Sequence, residues 1–349
     1  MMQRKLASVQ RVLEIHPIAN ADAIELVRIN GWQCVTRKGE FALGDFGIYF
    51  EIDSIPPDTE LFRFLWQPKV KPEDGSRPTE PVARPEKFRI RTLRLRGTLS
   101  QGLFIPIGQF ELGEVIEGDD VTTRLGVGKY EPPAPTGMGD FRASFPGFLP
   151  KTDEMRVQSV PAVLDELLGQ PYVATMKYDG TSATYCVDPR DEQFHASGRN
   201  FSVLPGENIY WQMATKYGLE AKLRSASHLA IQGEIVGPGI QKNPLALKEK
   251  ALFVFNVFDI RETRYLGHDE ARQVLDQLEL PTVQVIEEGE SFGHSQESLL
   301  TLAEGKYPGT NNEREGIVIR SRREKSSLTL GGRLSFKAIS NRYLLKETD

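Results

Sequence analysis

The sequence predicts an α+β protein with two domains, and three observations support this fold class. Residues 4–54 contain short runs of alternating apolar and polar side chains separated by turns, as in a small β-barrel or sandwich. Residues 126–150 are dense in glycine and proline, which is typical of a linker between domains. Beyond residue 150, strand-like apolar runs mix with amphipathic helical segments, which predicts antiparallel sheets flanked by helices.

Length and composition narrow the class of protein. A chain of 349 residues is comfortable for two domains. It has no apolar run near the roughly 20 residues of a membrane span and no signal-peptide pattern at its N-terminus, so a cytoplasmic protein without a membrane partner is expected. Its two cysteines, Cys34 and Cys186, exclude a disulfide framework and a cysteine-rich zinc site. A net charge of −5 leaves nucleic acid open as a partner, because a local basic stripe can supply the attraction.

The first domain is predicted to span residues 1–125. The runs "LASVQRVLEI", "AIELVRI" and "FGIYFEI" alternate as β-strands do. The pattern "EIHPIANADAIELVRINGW" followed by "GEFALGDFGIYF" resembles the OB-type domains that bind tRNA. This resemblance implies an OB-like β-barrel with a role in nucleic-acid binding.

A basic stripe follows a Pro-rich, charged segment at residues 67–86, which is predicted to be an exposed loop. In "KFRIRTLRLRG", strand alternation would place Arg89 and Arg91 on one face, and Arg94 and Arg96 likewise. The stripe is either an edge strand protected by charge or a surface that contacts phosphates.

The second domain, predicted at residues 151–349 after the linker at 126–150, contains the stretch "TMKYDGTSATYC". Lys177 ends an apolar run there, and Asp179-Gly180 follows. A lysine amine is protonated at neutral pH and becomes a nucleophile when its surroundings lower its pKa. A glycine turn also lets the backbone approach a ligand closely. The alternative is a lysine that extends to solvent and pairs with Asp179.

Other charged residues interrupt or adjoin apolar runs in the same domain. Glu234 lies in "GEIVGPG", Asp259 in "FVFNVFDI", Glu315 in "REGIVIR" and Lys337 in "SFKAIS". Burying so many charges without a shared ligand is costly. A polyanion with a divalent cation would satisfy them, since carboxylates hold metal ions and cations neutralise phosphates.

The ordered motifs K-x-D-G, G-E-x-x-G, F-x-x-F-D, E-G-x-V-x-R and F-K resemble those of ATP-dependent ligases and mRNA capping enzymes. Together with the OB-like domain, the whole chain resembles the RNA ligase 5 family. The resemblance implies a nucleotidyltransferase domain and an ATP-dependent RNA ligase that acts through a covalent lysine–AMP and an RNA-adenylate. It would join a 3′-hydroxyl to a 5′-phosphate, as a monomer, on RNA or an RNA-containing nicked duplex.

The resemblance also implies roles for single residues. Lys177 would attack the α-phosphorus of ATP, Phe258 would stack on adenine, and Arg199 with Asn200 would bind ribose or phosphate. Lys337 and Arg156 would hold phosphates. The implied catalytic residues are Lys177, Lys337, Glu315 and Glu234. The implied nucleotide-binding residues are Arg156, Met176, Lys177, Arg199, Asn200, Glu234, Phe258, Ile317 and Lys337. The implied ligands of a hydrated Mg²⁺ or Mn²⁺, which would lower the lysine pKa, are Asp179, Glu234 and Glu315.

The last motif departs from the family pattern. Many relatives have lysines two residues apart, whereas this chain has Ser335 and Lys337. Arg333 is the candidate to replace the missing lysine.

Three other functions stay open at this point. A capping guanylyltransferase shares the lysine chemistry, but such enzymes carry an OB domain after the last motif, where this chain has only residues 338–349. A DNA ligase differs in the sugar at its 3′-hydroxyl end. A non-enzymatic OB-fold RNA-binding protein would form no adenylate.

Overall fold

The chain divides into two units near residue 132 in the computed structural model, which describes residues 4–66, 83–131, 137 and 139–346. The range predicted to be a linker contains two short strands. Gly128–Lys129 pairs with Ser54–Ile55 of the first unit, and Phe141–Ser144 pairs with Phe201–Val203 of the second. Much of this range therefore belongs to the β-structure of one unit or the other. The loop predicted at residues 67–86 lies mostly outside the described residues.

The first unit is built from antiparallel strands. They are β1 (Ala7–Pro17), β2 (Ile24–Ile29), β3 (Trp32–Arg37), β4 (Phe46–Phe50), β5 (Ser54–Ile55), β6 (Thr92–Leu95), β7 (Thr98–Gln101), β8 (Leu103–Pro106) and β9 (Gly128–Lys129). Short 3₁₀ turns occupy Glu60–Leu65 and Ile107–Gln109.

The long strand β1 curls the sheet of this unit. Its first half pairs with β4 and its second half with β2, and the register shifts between Val12 and Glu14. Such a bulge bends a strand and increases its twist. Strand β3 then meets β7, because the Gln33 side chain donates to the Leu99 carbonyl (2.7 Å) and the Val35 N–H donates to the Ser100 hydroxyl. The predicted OB-like barrel is confirmed.

The basic stripe differs from the prediction. Strand β6 begins only at Thr92, so Arg89 and Arg91 precede it. The Arg89 guanidinium binds Asp53 at 3.0 Å and lies 4.4 Å above the centre of the Tyr130 ring. Arg89 is therefore a structural residue of the unit, and the exposed arginines are those of the β6–β7 hairpin and the residue just before it.

The second unit contains more strands and the helices. The strands are β10 (Phe141–Ser144), β11 (Met155–Arg156), β12 (Tyr172–Lys177), β13 (Thr181–Val187), β14 (Phe194–Ser197), β15 (Phe201–Val203), β16 (Leu229–Val236), β17 (Ala251–Asp259), β18 (Arg264–Tyr265), β19 (Val285–Gly289), β20 (Gly316–Ser321), β21 (Ser326–Ser327), β22 (Gly332–Arg333) and β23 (Ser335–Ile339). The helices are α1 (Val163–Leu167), α2 (Ile209–Lys216), α3 (Leu219–Ser225), α4 (His268–Gln277), α5 (Gln296–Ala303) and α6 (Asn341–Lys346), and a 3₁₀ turn spans Val157–Ser159.

Two sheets dominate this unit. In the described residues, the first sheet has the order β10-β15-β14-β13-β16-β17-β18 and the second has the order β11-β23-β20-β12-β19. All strand pairs are antiparallel except β11 with β23. One face of the first sheet packs on α2 and α3, and one face of the second packs on α1 and α5. The predicted antiparallel sheets flanked by helices are confirmed.

The chain crosses from the second sheet to the first at one turn. Strand β12 ends at Lys177 in the second sheet, and β13 starts at Thr181 in the first. The Asp179-Gly180 turn is thus the junction of the two sheets. In the described part of the chain, no helix combines the length and hydropathy needed to span a bilayer.

Candidate active site

Lys177 and Glu315 form an ion pair at the end of the second sheet. The final pair of the β12–β20 ladder is Lys177 with Gly316, so the residue before Gly316 lies beside the lysine. The Lys177 Nζ atom is 2.7 Å from Glu315 Oε2, and the side chains are 24% and 17% exposed. Two residues that are distant in sequence thus meet at a partly open position where a ligand can reach the amine.

Glu234 and Asp179 complete an acidic surround for this lysine. Glu234 pairs with Ser182 across β16 and β13, close to the Asp179-Gly180 turn. Burial, together with the negative charges of Glu315 and Asp179, raises the pKa of Glu234 to about 8 against the opposing effect of Lys177. The Asp179 carboxylate accepts a hydrogen bond from the Tyr343 hydroxyl (2.9 Å).

The carboxylates around Lys177 determine its charge state when no cation is bound. Burial by itself lowers the pKa of Lys177, but Glu315, Glu234 and Asp179 outweigh it and raise the pKa above its ordinary value. The nearby anions stabilise the ammonium form. The protein without nucleotide therefore holds this lysine protonated, and activation needs positive charge that competes for the same carboxylates.

Motif glycines allow the strands of this site to approach one another. A Cβ atom at Gly180 would lie 2.3 Å from the Ile235 carbonyl oxygen and 2.9 Å from Cγ of Glu234. A Cβ atom at Gly316 would lie 2.2 Å from the Ala338 carbonyl oxygen. Both distances are far below ordinary contact, so these positions require glycine for packing around Lys177 and Glu234.

Lys337 and Arg156 are direct neighbours on the same side of the second sheet as Lys177. Arg156 pairs with Lys337, Lys337 with Val318, and Val318 with Thr175, which is two residues from Lys177. Direct cross-strand partners and alternate residues share a face. Arg156 is 8% exposed, and the Lys337 Nζ atom is 3.2 Å from Asp153. Two cationic side chains thus lie on the same face of the sheet as Lys177, on neighbouring strands.

The substitute proposed for the missing lysine is engaged elsewhere. The Arg333 guanidinium binds Glu324 at 2.9 Å and Asn256 at 2.6 Å. The cation next to Ser335 is instead Arg320, its direct strand partner, whose Nε donates to the Ser335 hydroxyl (3.2 Å). The Glu154 carboxylate accepts hydrogen bonds from both Arg320 and Ser335.

Arg199 and Asn200 lie in the exposed turn between β14 and β15. The charge of Arg199 acts on Glu234 and lowers its pKa, which places this guanidinium near the carboxylate. The Asn200 side chain accepts a hydrogen bond from Lys151 (3.2 Å). Arg199 therefore acts on Glu234 through its charge, from an exposed turn.

The side chains of Met176 and Ile317 do not share the face of Lys177, and nucleotide binding by these two residues stays a prediction. They pair with each other across β12 and β20, one residue out of phase with Lys177. Both are buried, Met176 with Tyr178 and Ile317 in the core beneath α1 and α5. Val318 is the residue of this motif on the Lys177 face, and strand alternation alone could have identified it.

Phe258 is 3% exposed and packs in an apolar cluster with Phe145 and Leu149. Its ring meets Tyr265 edge-on, with 5.1 Å between the ring centres. Stacking on adenine stays a prediction. On the same strand, Phe253 is the direct cross-strand partner of Glu234 and packs edge-on against Tyr178.

The residues around Lys177 suit a hydrated divalent cation. In the described residues, the cluster of potential metal ligands within 4.8 Å of one another is Asp188, Asp191 and His195. The Arg190 guanidinium already binds Asp188 there, at 2.6 Å. The predicted ligands are more widely spaced, as befits a cation that keeps part of its water shell. Burial and the nearby anions raise the pKa of Glu234, and a bound cation would offset this by stabilising its carboxylate form.

The site therefore combines an amine, carboxylates and cations at the junction of two sheets. Such a set can neutralise a nucleoside triphosphate and direct an amine at one of its phosphorus atoms. Sequence reasoning missed the residues that support the set through hydrogen bonds. They are Glu154, Tyr307 and Tyr343, which carry no local motif that could have revealed them, and Arg320, which ends the motif E-G-x-V-x-R but received no role.

Comparison with known proteins gives the following matches. The RNA ligase family matches residues 170–339, and an OB-fold domain family matches residues 6–107. An RNA ligase of Naegleria gruberi with PPi is 38% identical, with a TM-score of 0.86 over 99% of this chain and 100% of that chain. A lysine-to-alanine variant of that ligase with ATP and Mn gives a TM-score of 0.85 at the same identity, over 99% of both chains. No protein of curated function matches.

Other structures of the Naegleria ligase carry substitutions at an aspartate and a glutamate. The separations of these residues from the substituted lysine equal those of Asp179 and Glu234 from Lys177. The similarity therefore extends to the spacing of Asp179 and Glu234 from the lysine.

Proposed function

This chain belongs to the RNA ligase family and is an ATP-dependent RNA ligase, and from this premise we propose that it seals nicks in RNA-containing duplexes. The observation that carries the ligase chemistry is the meeting of Lys177 with Glu315 at 2.7 Å beside Glu234 and Asp179. The observation that supports a duplex substrate is the hairpin of exposed arginines on the OB-like unit.

In the first step, Lys177 attacks the α-phosphorus of ATP. A bond forms between Nζ and phosphorus, the bond from phosphorus to the pyrophosphate oxygen breaks, and the amine loses its protons to solvent or a nearby carboxylate. Arg156 and Lys337 lie on the face of the sheet where they can neutralise the phosphates. Positioning and charge neutralisation supply most of the rate enhancement in such a transfer.

Asp179, Glu234 and Glu315 would hold the Mg²⁺ or Mn²⁺ ion, directly or through its waters. When bound, the cation supplies positive charge that favours the neutral amine and neutralises the phosphate oxygens. The same carboxylates would bind the Lys177 ammonium before the cation arrives and the cation afterwards. Arg199 would bind the ribose or a phosphate, and the effect of its charge on the pKa of Glu234 supports this role.

The later steps transfer AMP and close the break. The RNA 5′-phosphate attacks the phosphorus of lysine-bound AMP and releases the amine, which gives an RNA-adenylate. The 3′-hydroxyl then attacks the 5′-phosphorus, and AMP leaves. A complementary strand holds the two ends together, which raises their effective concentration and favours nicks as substrates.

Sealing rates on matched substrates test the proposed nick preference. We expect a nicked duplex with RNA on both sides to be sealed at least about 100-fold faster than the same two strands without their complement. Replacing the 3′-hydroxyl nucleotide by DNA measures the sugar preference, with Lys177→Ala as the negative control. Equal rates with and without the complement would contradict the nick assignment, and sealing of DNA ends alone would contradict the RNA assignment.

We further propose that arginines of the β6–β7 region grip the nucleic-acid backbone. Arg91, Arg94 and Arg96 are exposed, and the intervening Leu93 and Leu95 are 46% and 38% exposed. We expect Arg91→Ala combined with Arg94→Ala to weaken binding of the nicked duplex about tenfold, and to reduce the slope of log affinity against log salt by about 1 to 2. Lysine adenylylation should be unchanged, because it requires no nucleic acid.

The matched control for this pair is Arg37→Ala with Lys38→Ala, which removes equal charge from another exposed turn of the same unit. Fluorescence anisotropy at several salt concentrations gives both affinity and slope. If both double variants reduce the affinity and the salt slope equally, the effect comes from net charge, and the hairpin arginines do not contact the nucleic-acid backbone specifically.

We also propose that the protein acts as a monomer in the reducing cytoplasm. One chain supplies the lysine, the carboxylates and the cations, and Cys34 and Cys186 are buried free thiols. Adenylylation activity per chain should then be independent of protein concentration. Loss of specific activity on dilution, or a non-cytoplasmic location in cell fractions, would contradict the corresponding part.

A further inference from the structure

A buried tyrosine hydroxyl connects the two backbone segments that carry Lys177 with Asp179 and Glu315. The Tyr307 hydroxyl donates to the Lys177 carbonyl (3.2 Å) and accepts from the N–H groups of Asp179 and Glu315 (3.1 Å each). A phenolic hydroxyl has one proton to donate and lone pairs to accept with. Three backbone groups from two strands are thus tied to one oxygen atom.

This oxygen lies where β12 and β20 separate. Lys177 and Gly316 form the final pair of their ladder, and the chain of β12 then turns to the other sheet at Asp179. The register of the two strands therefore does not extend to Asp179 and Glu315. Tyr307 supplies a bond to each of these residues just beyond the ladder.

The tyrosine ring is held firmly enough to fix the position of its hydroxyl. Tyr307 is 1% exposed and packs with Met176, Val236 and Tyr178, the last in an edge-on arrangement with 6.0 Å between ring centres. Its own N–H donates to the Asn312 carbonyl (3.0 Å). Side chains locked by packing and hydrogen bonds are those that hold reactive groups in place.

We propose that Tyr307 is a positioning residue for lysine adenylylation, which holds the segments of Lys177, Asp179 and Glu315 in their reactive arrangement. This inference rests on the ligase function proposed above. Tyr307 touches neither ATP nor metal in this role and acts through the backbone. A displacement of about 1 Å at a reacting group can cost about 100-fold in rate, so loss of the three bonds has a large effect.

The test is Tyr307→Phe, which keeps the ring and removes the hydroxyl. We expect the maximal rate of lysine adenylylation in single turnover to fall about 10- to 100-fold, while the ATP concentration that gives half the maximal rate changes little. A structural role alone would lower the folded fraction without this separation of the two kinetic constants. Circular dichroism melting of the same samples identifies the temperature range in which each variant is folded.

Tyr185→Phe is the matched control. Tyr185 is also fully buried, and its hydroxyl donates to the Tyr210 carbonyl (3.0 Å) on the helix-covered face of the first sheet. It should lose thermal stability and keep the wild-type adenylylation rate. An unchanged rate in Tyr307→Phe, or an equal loss in the two variants, would overturn the proposal. Absence of any adduct in the wild type would instead overturn the ligase function itself.

A second substitution serves if Tyr307→Phe does not fold. Replacing Tyr307 by 3-fluorotyrosine keeps the ring and the hydroxyl and weakens the oxygen as an acceptor for the N–H groups of Asp179 and Glu315. We expect a slower maximal adenylylation rate with an unchanged ATP requirement. A rate equal to that of the wild type would again overturn the proposal.

Discussion

Lys177→Ala is expected to abolish formation of the covalent AMP adduct, with a loss in rate of at least about 1,000-fold. Without the amine at this position, no bond to the α-phosphorus can form. Joining of RNA that already carries a 5′-adenylate should persist, because that step uses the 3′-hydroxyl as nucleophile. Incubation with α-labelled ATP and Mn²⁺ or Mg²⁺ measures the first effect, and sealing of pre-adenylylated RNA without ATP measures the second.

Lys248→Ala is a suitable control, since Lys248 is an exposed lysine of the same unit. It should be labelled as the wild type is. Equal labelling of the wild type and Lys177→Ala would refute the assignment of the nucleophile. Preferential labelling by GTP would instead favour capping chemistry.

Gly180→Ala should have the second largest effect, because it pushes the Asp179-Gly180 turn, which follows the active lysine, away from β16. The new Cβ atom would lie 2.3 Å from a backbone oxygen of β16, so the strand that carries Glu234 must move. We expect a loss of about 1–3 kcal/mol in the free energy of unfolding from overpacking. Adenylylation should fall at least about 100-fold, since a shift of about 1 Å at such a site has that consequence.

Gly293→Ala provides the matched control. An added Cβ atom at Gly293 meets no atom within 4 Å, and the residue belongs to the same unit. Urea unfolding and the single-turnover rate should both remain close to the wild-type values. If Gly180→Ala also retains both values, Glu234 does not depend on the close approach of this turn.

The fold class followed from local pattern, because alternation and turn residues are local properties. The strand of Lys177 and the OB-like β-barrel could be predicted from these local patterns. The start of β6 could not be, since the cation–π contact of Arg89 with Tyr130 joins residues that are distant in sequence. The short strands Gly128–Lys129 and Phe141–Ser144 inside the predicted linker were not accessible from the sequence either, because a composition rich in glycine and proline does not show which residues pair at the edge of a sheet.

The charged residues of the site were recognisable from the sequence because a buried charge needs a partner or a ligand, and the ordered motifs indicated a nucleotide with a cation as that ligand. Lys177, Glu234 and Glu315 follow this rule. The motif alone does not tell which of its residues faces Lys177, because strand register decides that, and the register places Val318 rather than Ile317 on this face. Tyr307 had no signal at all, since a tyrosine in a loop resembles any other until the backbone groups around its hydroxyl are known.

The ion pair of Lys177 with Glu315 keeps the lysine unreactive until ATP and its cation bind. An ammonium ion has no lone pair, so the amine is inert toward stray electrophiles such as aldehydes and acyl phosphates while it is held by the carboxylate. Only a ligand that brings positive charge releases the amine from the carboxylate, and ATP would bind together with a divalent cation. The protein thereby preserves its reactive group between turnovers and exposes it only when the correct reagent is present.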